Sequence, residues 1–285
     1  MLQIITDSTA DLSPDVAAAA GIWVVPLTVR FGQESYQDGV DLSKDEFYAK
    51  LRVSPKLPAT AAPPPGVFAA RYAAALAAGK QVLAIHLSRE LSSTYSAALL
   101  AAAEFGDDVA VADSRSTSMG LGMLALRAAE AARAGASLAE ARRLVQELAP
   151  CLRIFLALGT LENLHKGGRI GRASVLLGAL LSVKPIISVV DGYIEPVERV
   201  RTFSRALRRL VELTREHEPS GHVAVGYTDV PEVAQQLRAM LLQEMPGLDV
   251  SIYQGGSTIG TYVGHGAVAT LFLAAGPSLT SDPVP

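Results

Sequence analysis

The sequence predicts an α/β protein with two domains. Short runs rich in valine, isoleucine and leucine alternate with alanine-rich stretches that favour helices, and this alternation is typical of sheets covered by helices. The chain has 285 residues, of which 49% are hydrophobic; this is about twice the common domain length of roughly 150 residues. The predicted strands are residues 2–6, 23–30, 81–87, 109–112, 152–158, 185–190 and 222–227.

A change in composition near Pro150 predicts the domain boundary. A predicted helical hairpin ends there, and a region with more closely spaced strands begins. We therefore predict an N-terminal α/β/α domain with a mainly parallel sheet (1–150), a C-terminal α/β domain with a mixed sheet (151–277) and a flexible tail (278–285). Within the second domain, Asp191-Gly192 predicts a β-hairpin, because this pair supplies the positive φ angles of a type I′ turn.

Capping residues mark several predicted helix ends. Ser13 precedes a proline, and Ser43 and Ser137 are each followed three residues later by a glutamate; both patterns are typical of helix starts. Gly79 and Gly135 are typical of the residue that follows a helix, because glycine adopts the left-handed conformation needed there.

The composition argues against several classes of protein. Lysine and arginine number 25 against 28 acidic residues, giving a net charge of −3 with no basic block, so nucleic acid is not expected as a partner. The single cysteine, Cys151, is unsuited to an intrachain disulfide or a multi-cysteine metal site, and we expect a reducing, cytoplasmic location. We predict neither a signal peptide nor a membrane span, because charged residues interrupt the apolar stretches well short of roughly 20 residues.

Three hydroxyl-rich loops directly follow predicted strands: residues 7–9, 88–94 and 113–118. In open α/β sheets such loops line the crevice where ligands bind. Their hydroxyl and backbone N–H groups can hold an anionic oxygen without a metal. Ordinary helix capping explains any single loop better, but the three together favour a binding site.

Four other segments stand out. Residues 60–66 contain three consecutive prolines and form either a rigid wall or a polyproline connector. Residues 164–172 combine glycines with cations and suit either an anion or a solvated turn, without the P-loop pattern. Residues 173–183 predict an apolar, buried helix that belongs to the core or lines a ligand tunnel. Residues 255–266 predict a second glycine-rich loop that approaches a ligand, without the dinucleotide-binding pattern.

The histidines are not spaced for zinc or for nucleophilic catalysis. They show no His-x-x-x-His spacing and no clustered acidic partners, which argues against a zinc hydrolase. No Gly-x-Ser-x-Gly elbow occurs, so an α/β-hydrolase is not predicted. His86, at the end of a predicted strand, is interpreted as a satisfied, packed residue.

Seven short motifs resemble those of the DegV family in order and spacing, and together they cover nearly the whole chain. They are residues 5–12 (Ile-Thr-Asp-Ser-Thr-Ala-Asp-Leu), 60–66, 91–97 (Leu-Ser-Ser-Thr-Tyr-Ser-Ala), 113–114 (Asp-Ser), 167–170 (Gly-Gly-Arg-Ile), 184–186 (Lys-Pro-Ile) and 191–192 (Asp-Gly). Each motif is weak alone, but seven in order rarely arise by chance. The chain is therefore identified as a member of that family.

The resemblance implies a lipid-binding carrier rather than an enzyme. Such a protein holds one long-chain fatty acid, such as palmitate, in a tunnel near the domain interface, with no cofactor and no stable membrane insertion. In bacteria that have a fatty acid kinase, it presents the bound acid to the kinase. The kinase then phosphorylates the carboxylate to an acyl phosphate for phospholipid metabolism.

The resemblance also assigns candidate ligand-binding residues. Thr60 and Ser92 match the family's carboxylate ligands, and the neighbouring hydroxyls of Ser93 and Thr94 are included with them. Arg169 matches the arginine of the Gly-Gly-Arg motif, which lies near the head group and offsets its charge.

The resemblance to the family assigns roles to two further residues, and the sequence differs from the family's motifs at several positions. Tyr262 occupies the position where many relatives have a histidine; it donates a neutral hydrogen bond but cannot become cationic. Arg201 resembles a basic position implicated in docking the kinase. Ser93 replaces a glycine, and Ala61-Ala62 replace Ser-Gln, so we expect a thinner hydrogen-bond network around the carboxylate.

Two alternatives remain open at this point. The hydroxyl loops, and the family's likeness in fold to dihydroxyacetone kinase, are compatible with a small-molecule kinase or hydrolase, although likeness of fold alone is weak support. A regulatory or interaction protein whose bound lipid is structural is the other alternative. A carrier must exchange its lipid, whereas a structural lipid does not exchange, so a measurement of lipid exchange distinguishes the two.

Overall fold

The computed structural model describes residues 1–177 and 183–275. Its strands are β1 (Leu2–Asp7), β2 (Ile22–Val25), β3 (Thr28–Phe31), β4 (Glu34–Gln37), β5 (Ala59–Ala61), β6 (Gln81–His86), β7 (Val109–Asp113), β8 (Leu152–Ala157), β9 (Lys184–Val190), β10 (Tyr193–Val200), β11 (Pro219–Tyr227), β12 (Asp249–Gln254) and β13 (Val268–Ala274). Its α-helices are α1 (Pro14–Ala20), α2 (Lys44–Val53), α3 (Pro65–Ala77), α4 (Thr94–Ala102), α5 (Ser118–Arg133), α6 (Leu138–Leu148), α7 (Glu162–Lys166), α8 (Phe203–Glu216), α9 (Pro231–Glu244) and α10 (Ser257–Val263).

The strands form two main sheets and one small one. The N-terminal sheet has the order β2-β1-β6-β7 and is parallel throughout. The larger sheet has the order β10-β9-β8-β13-β11-β12; it is antiparallel except for the parallel pair β11 and β12. A small antiparallel sheet has the order β4-β3-β5. The predicted α/β class, with a parallel sheet followed by a mixed one, is confirmed.

Helix α5 lies between the two main sheets and shares one hydrophobic core with both. Leu121 and Leu124 of this helix are buried in the same cluster as Leu83 of the parallel sheet and Ile154 and Leu271 of the larger sheet. Helices α3 and α4 cover the other face of the parallel sheet, and α8 and α9 cover the other face of the larger sheet. Each buried leucine or isoleucine contributes about 1.5–3 kcal/mol, so this shared core ties the two sheets together.

The predicted caps are confirmed. The hydroxyl of Ser13 accepts from the third residue of α1, and Ser43 and Ser137 form complete capping boxes at the starts of α2 and α6. Gly79 and Gly135 follow α3 and α5 with φ angles of +71° and +96°. These local signals therefore fix the helix ends, as expected.

One expected strand is wrong, and one expected helix is not seen in the part of it that the structure describes. The single strand expected over 23–30 is two strands, β2 and β3, which belong to different sheets, because Pro26 between them has no N–H to continue a ladder. The buried helix expected over 173–183 is not seen in its described part, where Gly171–Leu176 form a 3₁₀ helix. Val175 there is 69% exposed, and residues 178–182 lie outside the described residues.

Two segments expected as loops contain helices. Helix α7 occupies part of the basic segment 164–172, and α10 occupies most of the glycine-rich segment 255–266.

None of the helices within 1–177 and 183–275 is long and apolar enough to cross a membrane. The domain boundary at residue 150 stays a prediction, and the predicted tail lies outside the described residues.

The predicted β-hairpin is confirmed and contacts the N-terminal half of the chain. Asp191 and Gly192 join β9 to β10 with φ angles of 49° and 87°, as a type I′ turn requires. The hydroxyl of Ser88, in the loop after β6, donates to the carbonyl oxygen of Gly192 at 3.0 Å. A Cβ atom at Gly192 would lie 2.3 Å from that hydroxyl oxygen, so glycine is required here for both backbone conformation and space.

We predict that Gly192→Ala lowers the free energy of unfolding by about 2–3 kcal/mol. The left-handed backbone costs an L-residue about 1–2 kcal/mol, and displacing Ser88 loses a buried hydrogen bond worth about 1 kcal/mol. Urea unfolding measures the change. Gly79→Ala is the matched control, because Gly79 has a similar φ of +71° with no atom within 4 Å of its added Cβ; equal losses in both variants would contradict the contact with Ser88.

Candidate functional site

One cavity opens where all four strands of the parallel sheet end. Its lining includes a residue that follows the carboxyl end of each strand: Thr9 after β1, Leu27 after β2, Ser92 after β6 and Ser118 after β7. Open parallel sheets bind ligands at this edge. The three hydroxyl-rich loops that the sequence singled out thus meet at one site.

The opposite wall of the cavity is the inner face of the larger sheet. Because alternate residues of a strand share a face, β8 contributes Ile154 and Leu156, and β13 contributes Ala269 and Leu271. Helix α10 closes one side. Its lining residues are Thr258, Ile259, Tyr262 and Val263.

The cavity is mainly apolar and open to solvent at its mouth. The empty space between its lining residues, including the open mouth, is about 1000 Å³. Among the described residues that line it, Arg169 is the one charged side chain. The site therefore favours an apolar ligand with one polar or anionic end.

Thr60 and Tyr262 meet at the polar end of the cavity, which we define by Thr60, Ser92, Arg169 and Tyr262. The Thr60 Oγ1 and Tyr262 hydroxyl oxygens are 2.6 Å apart. Each hydroxyl has one proton, so one proton makes the bond between them and the other is free to donate to a ligand oxygen. Thr60 is in strand β5, and this strand holds its side chain opposite α10.

Ser92 is held by Thr94. The Ser92 Oγ accepts from the backbone N–H of Thr94 at 3.2 Å and lies 2.9 Å from the Thr94 hydroxyl oxygen. When the Thr94 hydroxyl donates to Ser92, the Ser92 proton is free for a ligand. Thr94 is buried and is not among the lining residues, so its contact in the site is with Ser92.

Arg169 places a positive charge at the polar end. Its guanidinium carbon lies 5.2 Å from the centre of the Tyr262 ring, within the range of a cation–π contact. Its Nε and Nη1 atoms donate to the carbonyl oxygens of Leu91 and Gly167 at 3.3 and 2.8 Å. These contacts fix an exposed arginine beside Tyr262, and its positive charge favours an anionic group at this end of the cavity.

The remaining predicted residues lie apart from the lining. Ser93 is exposed at the start of α4, and Arg201 is exposed just after β10; neither lines the cavity.

His265 is paired with Asp229: its Nδ1 atom lies 2.6 Å from a carboxyl oxygen of that residue. Burial acts to raise the pKa of Asp229, but hydrogen bonds from Gly266 N–H and His265 outweigh it, so the net shift of this pKa is downward.

Asp7 joins two of the cavity loops, a role that the sequence did not reveal. One oxygen of its buried carboxyl accepts from the backbone N–H of Thr9, and the other from that of Leu87, each at 3.0 Å; Thr9 and Leu87 both line the cavity. The second oxygen also lies 3.0 Å from His86 Nδ1. The expectation that His86 is fully satisfied is half right, because its Nε2 is buried without a partner among the described residues.

Asp11 is a second buried carboxyl that the sequence did not single out. Its backbone is left-handed, with φ of 56°. One oxygen accepts from Gly256 N–H at 2.7 Å, and the other from the hydroxyl of Ser118, which lies 2.8 Å from the Tyr253 hydroxyl. Burial raises the pKa of Asp11 to about 6 from an ordinary value of 3.8, against the opposing charge of Lys44.

The fold and this site define a class: an α/β protein of two main sheets with an apolar binding cavity between them. The DegV family model, described as an uncharacterised protein of that family, matches residues 1–275. A DegV domain-containing protein from Deinococcus radiodurans is 38% identical over 275 residues, covering 94% of this chain and 96% of the relative. The chain belongs to the DegV family.

Solved structures of similar proteins share the fold over nearly the full length. A fatty-acid-binding DegV family protein from Thermus thermophilus superposes with a TM-score of 0.89 at 32% identity, covering 96% of this chain and 99% of that one. DegV, a fatty acid binding protein from Bacillus subtilis, gives 0.86 at 30% identity with the same coverage. A stearic acid-binding protein from Eubacterium ventriosum gives 0.87 at 25% identity, covering 96% and 98%.

We predict that Asp11→Asn changes the pH dependence of stability. Because the pKa of Asp11 is raised in the folded protein, the folded state binds the proton more tightly, and this stabilisation is present below pH 3.8 and lost as pH rises through about 6. Between pH 3.8 and about 6, the free energy of unfolding of the wild type therefore falls by about 3 kcal/mol relative to that of the Asn variant. Unfolding free energies of both proteins from pH 4 to 7 measure the difference; a difference that is constant with pH would contradict the raised pKa.

Proposed function

We propose that this protein carries one long-chain fatty acid, with the hydrocarbon tail in the cavity and the carboxylate at the polar end. The observation that carries the proposal is the distribution of polarity. The wall from the larger sheet is mainly apolar, whereas Thr60, Ser92, Tyr262 and Arg169 supply hydrogen-bond donors and a positive charge at one place. The fatty-acid-binding relatives support the same ligand.

Burial of the tail dominates the affinity in this proposal. About fourteen methylenes at about 0.8 kcal/mol each give on the order of 11 kcal/mol before ordering costs, whereas one neutral hydrogen bond contributes about 1 kcal/mol net. The polar end therefore sets the orientation of the ligand. It keeps the carboxylate beside an exposed arginine rather than inside the core.

We further propose that the protein is a carrier subunit without its own chemistry, located in the cytoplasm, and that it presents the acid to a fatty acid kinase. The kinase would phosphorylate the carboxylate for phospholipid metabolism. The resemblance of the sequence motifs supports this role, and so does the exposure of Arg169 beside the head group. Arg201 is exposed and outside the cavity lining, as a residue that contacts a partner must be.

We predict that protein purified from a bacterial host contains about one long-chain fatty acid per chain, and that Thr60→Val with Ser92→Ala lowers this retention severalfold. The double variant loses two donors worth about 1 kcal/mol each. Mass spectrometry of an organic extract, quantified against protein, measures both.

Ser96→Ala is the matched control, because Ser96 is an exposed serine of α4 outside the cavity lining, and it should retain lipid like the wild type. Folded wild-type protein without lipid, which also fails to take up added palmitate, would refute the carrier proposal. A double variant that holds as much lipid as the wild type would refute the assignment of the polar end.

We predict that Arg201→Glu lowers acyl phosphate formation by a fatty acid kinase at least tenfold and leaves palmitate retention unchanged. The substitution reverses a charge at the proposed docking site without touching the cavity. Kinase turnover with palmitate-loaded protein measures the effect. Arg142→Glu, an exposed position on α6, is the control for charge reversal; equal losses in both variants would contradict a docking role for Arg201.

A further inference from the structure

Helix α10 is a short helix that carries Tyr262 into the polar end of the cavity. It has seven residues, about two turns, and helices of this length are not stable alone in water. Its residue composition, with glycines before, within and after it, also disfavours a helix. Contacts from elsewhere in the chain must therefore hold it in place.

Asp38, in the turn after β4, supplies the contact at the start of α10. One of its carboxyl oxygens accepts from the backbone N–H of Ser257 at 3.1 Å. The other accepts from the backbone N–H of Thr258 at 3.2 Å and from its hydroxyl at 2.7 Å. The side chain thus caps a helix that lies 219 residues away in sequence, where the unpaired N–H groups and the helix dipole favour an acidic group.

Asp38 is itself fixed on the N-terminal side. It is 5% exposed, and one of its oxygens accepts from the hydroxyl of Ser8 at 3.1 Å. Ser8 also accepts from the backbone N–H of Leu27 at 3.0 Å, and Leu27 lines the cavity. The start of α10 is therefore tied to the loops at the carboxyl edge of the parallel sheet.

The geometry of the helix connects Asp38 to Tyr262. Thr258 and Tyr262 are four residues apart and lie on the same face, and both line the cavity. Gly260 lets the helix approach α2 closely, since a Cβ there would lie 2.6 Å from the Phe47 ring. With its start and middle fixed in this way, α10 places the Tyr262 hydroxyl 2.6 Å from Thr60 Oγ1.

We infer that Asp38 is a positioning residue for the fatty-acid head group, acting through α10 to hold Tyr262 against Thr60. Asp38 does not line the cavity and does not touch the ligand. Its effect is on recognition of the carboxylate, because the apolar walls that hold the tail come mainly from β8, β9 and β13. The inference rests on the proposed function and specifies how the residues at the polar end of the cavity are held in position.

The test compares two ligands that share a tail, palmitate and methyl palmitate, in the full-length protein. In Asp38→Asn an amide N–H₂ replaces one carboxyl oxygen and faces a backbone N–H, so the cap is weakened and Tyr262 is displaced. We expect the Kd for palmitate to rise about tenfold and the Kd for methyl palmitate to rise by less than about threefold, because the uncharged ester carbonyl accepts a weaker hydrogen bond than a carboxylate does. An unchanged palmitate Kd, or equal weakening of both ligands, would overturn the inference.

Matched variants keep the test decisive. Ser137→Ala removes the capping box of α6, a helix with no residue in the cavity lining, and should leave both affinities unchanged. If Asp38→Asn does not fold, Thr258→Val removes the hydroxyl bond to Asp38 and keeps the side-chain volume in the cavity lining; it should raise the palmitate Kd severalfold, again with a smaller effect on the ester. Wild-type protein that binds neither ligand would refute the proposed function, whereas wild-type binding with no selective loss in the variants would refute only the positioning role.

Discussion

The packing of α5 against both main sheets is the constraint on which the rest of the structure depends. Two glycines near its start allow very close contacts. A Cβ at Gly122 would lie 2.6 Å from the carbonyl oxygen of Ala10, and one at Gly120 would lie 3.0 Å from the side chain of Ile154. The helix is therefore pressed against the loop after β1 and against β8, and the space between the sheets is closed along its length. The cavity begins where α5 begins, at Ser118.

Around this opening, buried carboxyls organise the loops rather than face the ligand. Asp7 joins the loops after β1 and β6, and Asp11 joins the loop after β1 to Gly256. None of these aspartates lines the cavity, and each accepts several hydrogen bonds, as a buried carboxyl requires. These carboxyl groups thus bind backbone N–H groups, and the described residues that line the cavity include no acidic side chain that would repel a carboxylate.

The sequence predicted those features that depend on near neighbours. Six of the seven predicted strands, the capping boxes at Ser43 and Ser137 and the Asp191-Gly192 turn follow from local patterns, and the structure confirms them. Helix α10 was not predicted, because its cap is a side chain more than two hundred residues away and local composition indicates a loop. The described part of the helix expected over 173–183 differs for a related reason: an apolar run does not reveal whether a partner surface exists, and Val175 is largely exposed.

The pairing of Tyr262 with Arg169 has a consequence for a carrier. A tyrosine at this position contributes one neutral donor, worth about 1 kcal/mol, and brings no charge of its own. The positive charge comes from Arg169, which is exposed and already donates to two carbonyl oxygens, so water screens its attraction for the carboxylate. In the proposed carrier, the polar end is therefore strong enough to orient a ligand but weak enough to release its carboxylate to another protein. Retention then depends on burial of the tail, which does not change when another protein approaches the head group from outside, and the proposed role requires both properties.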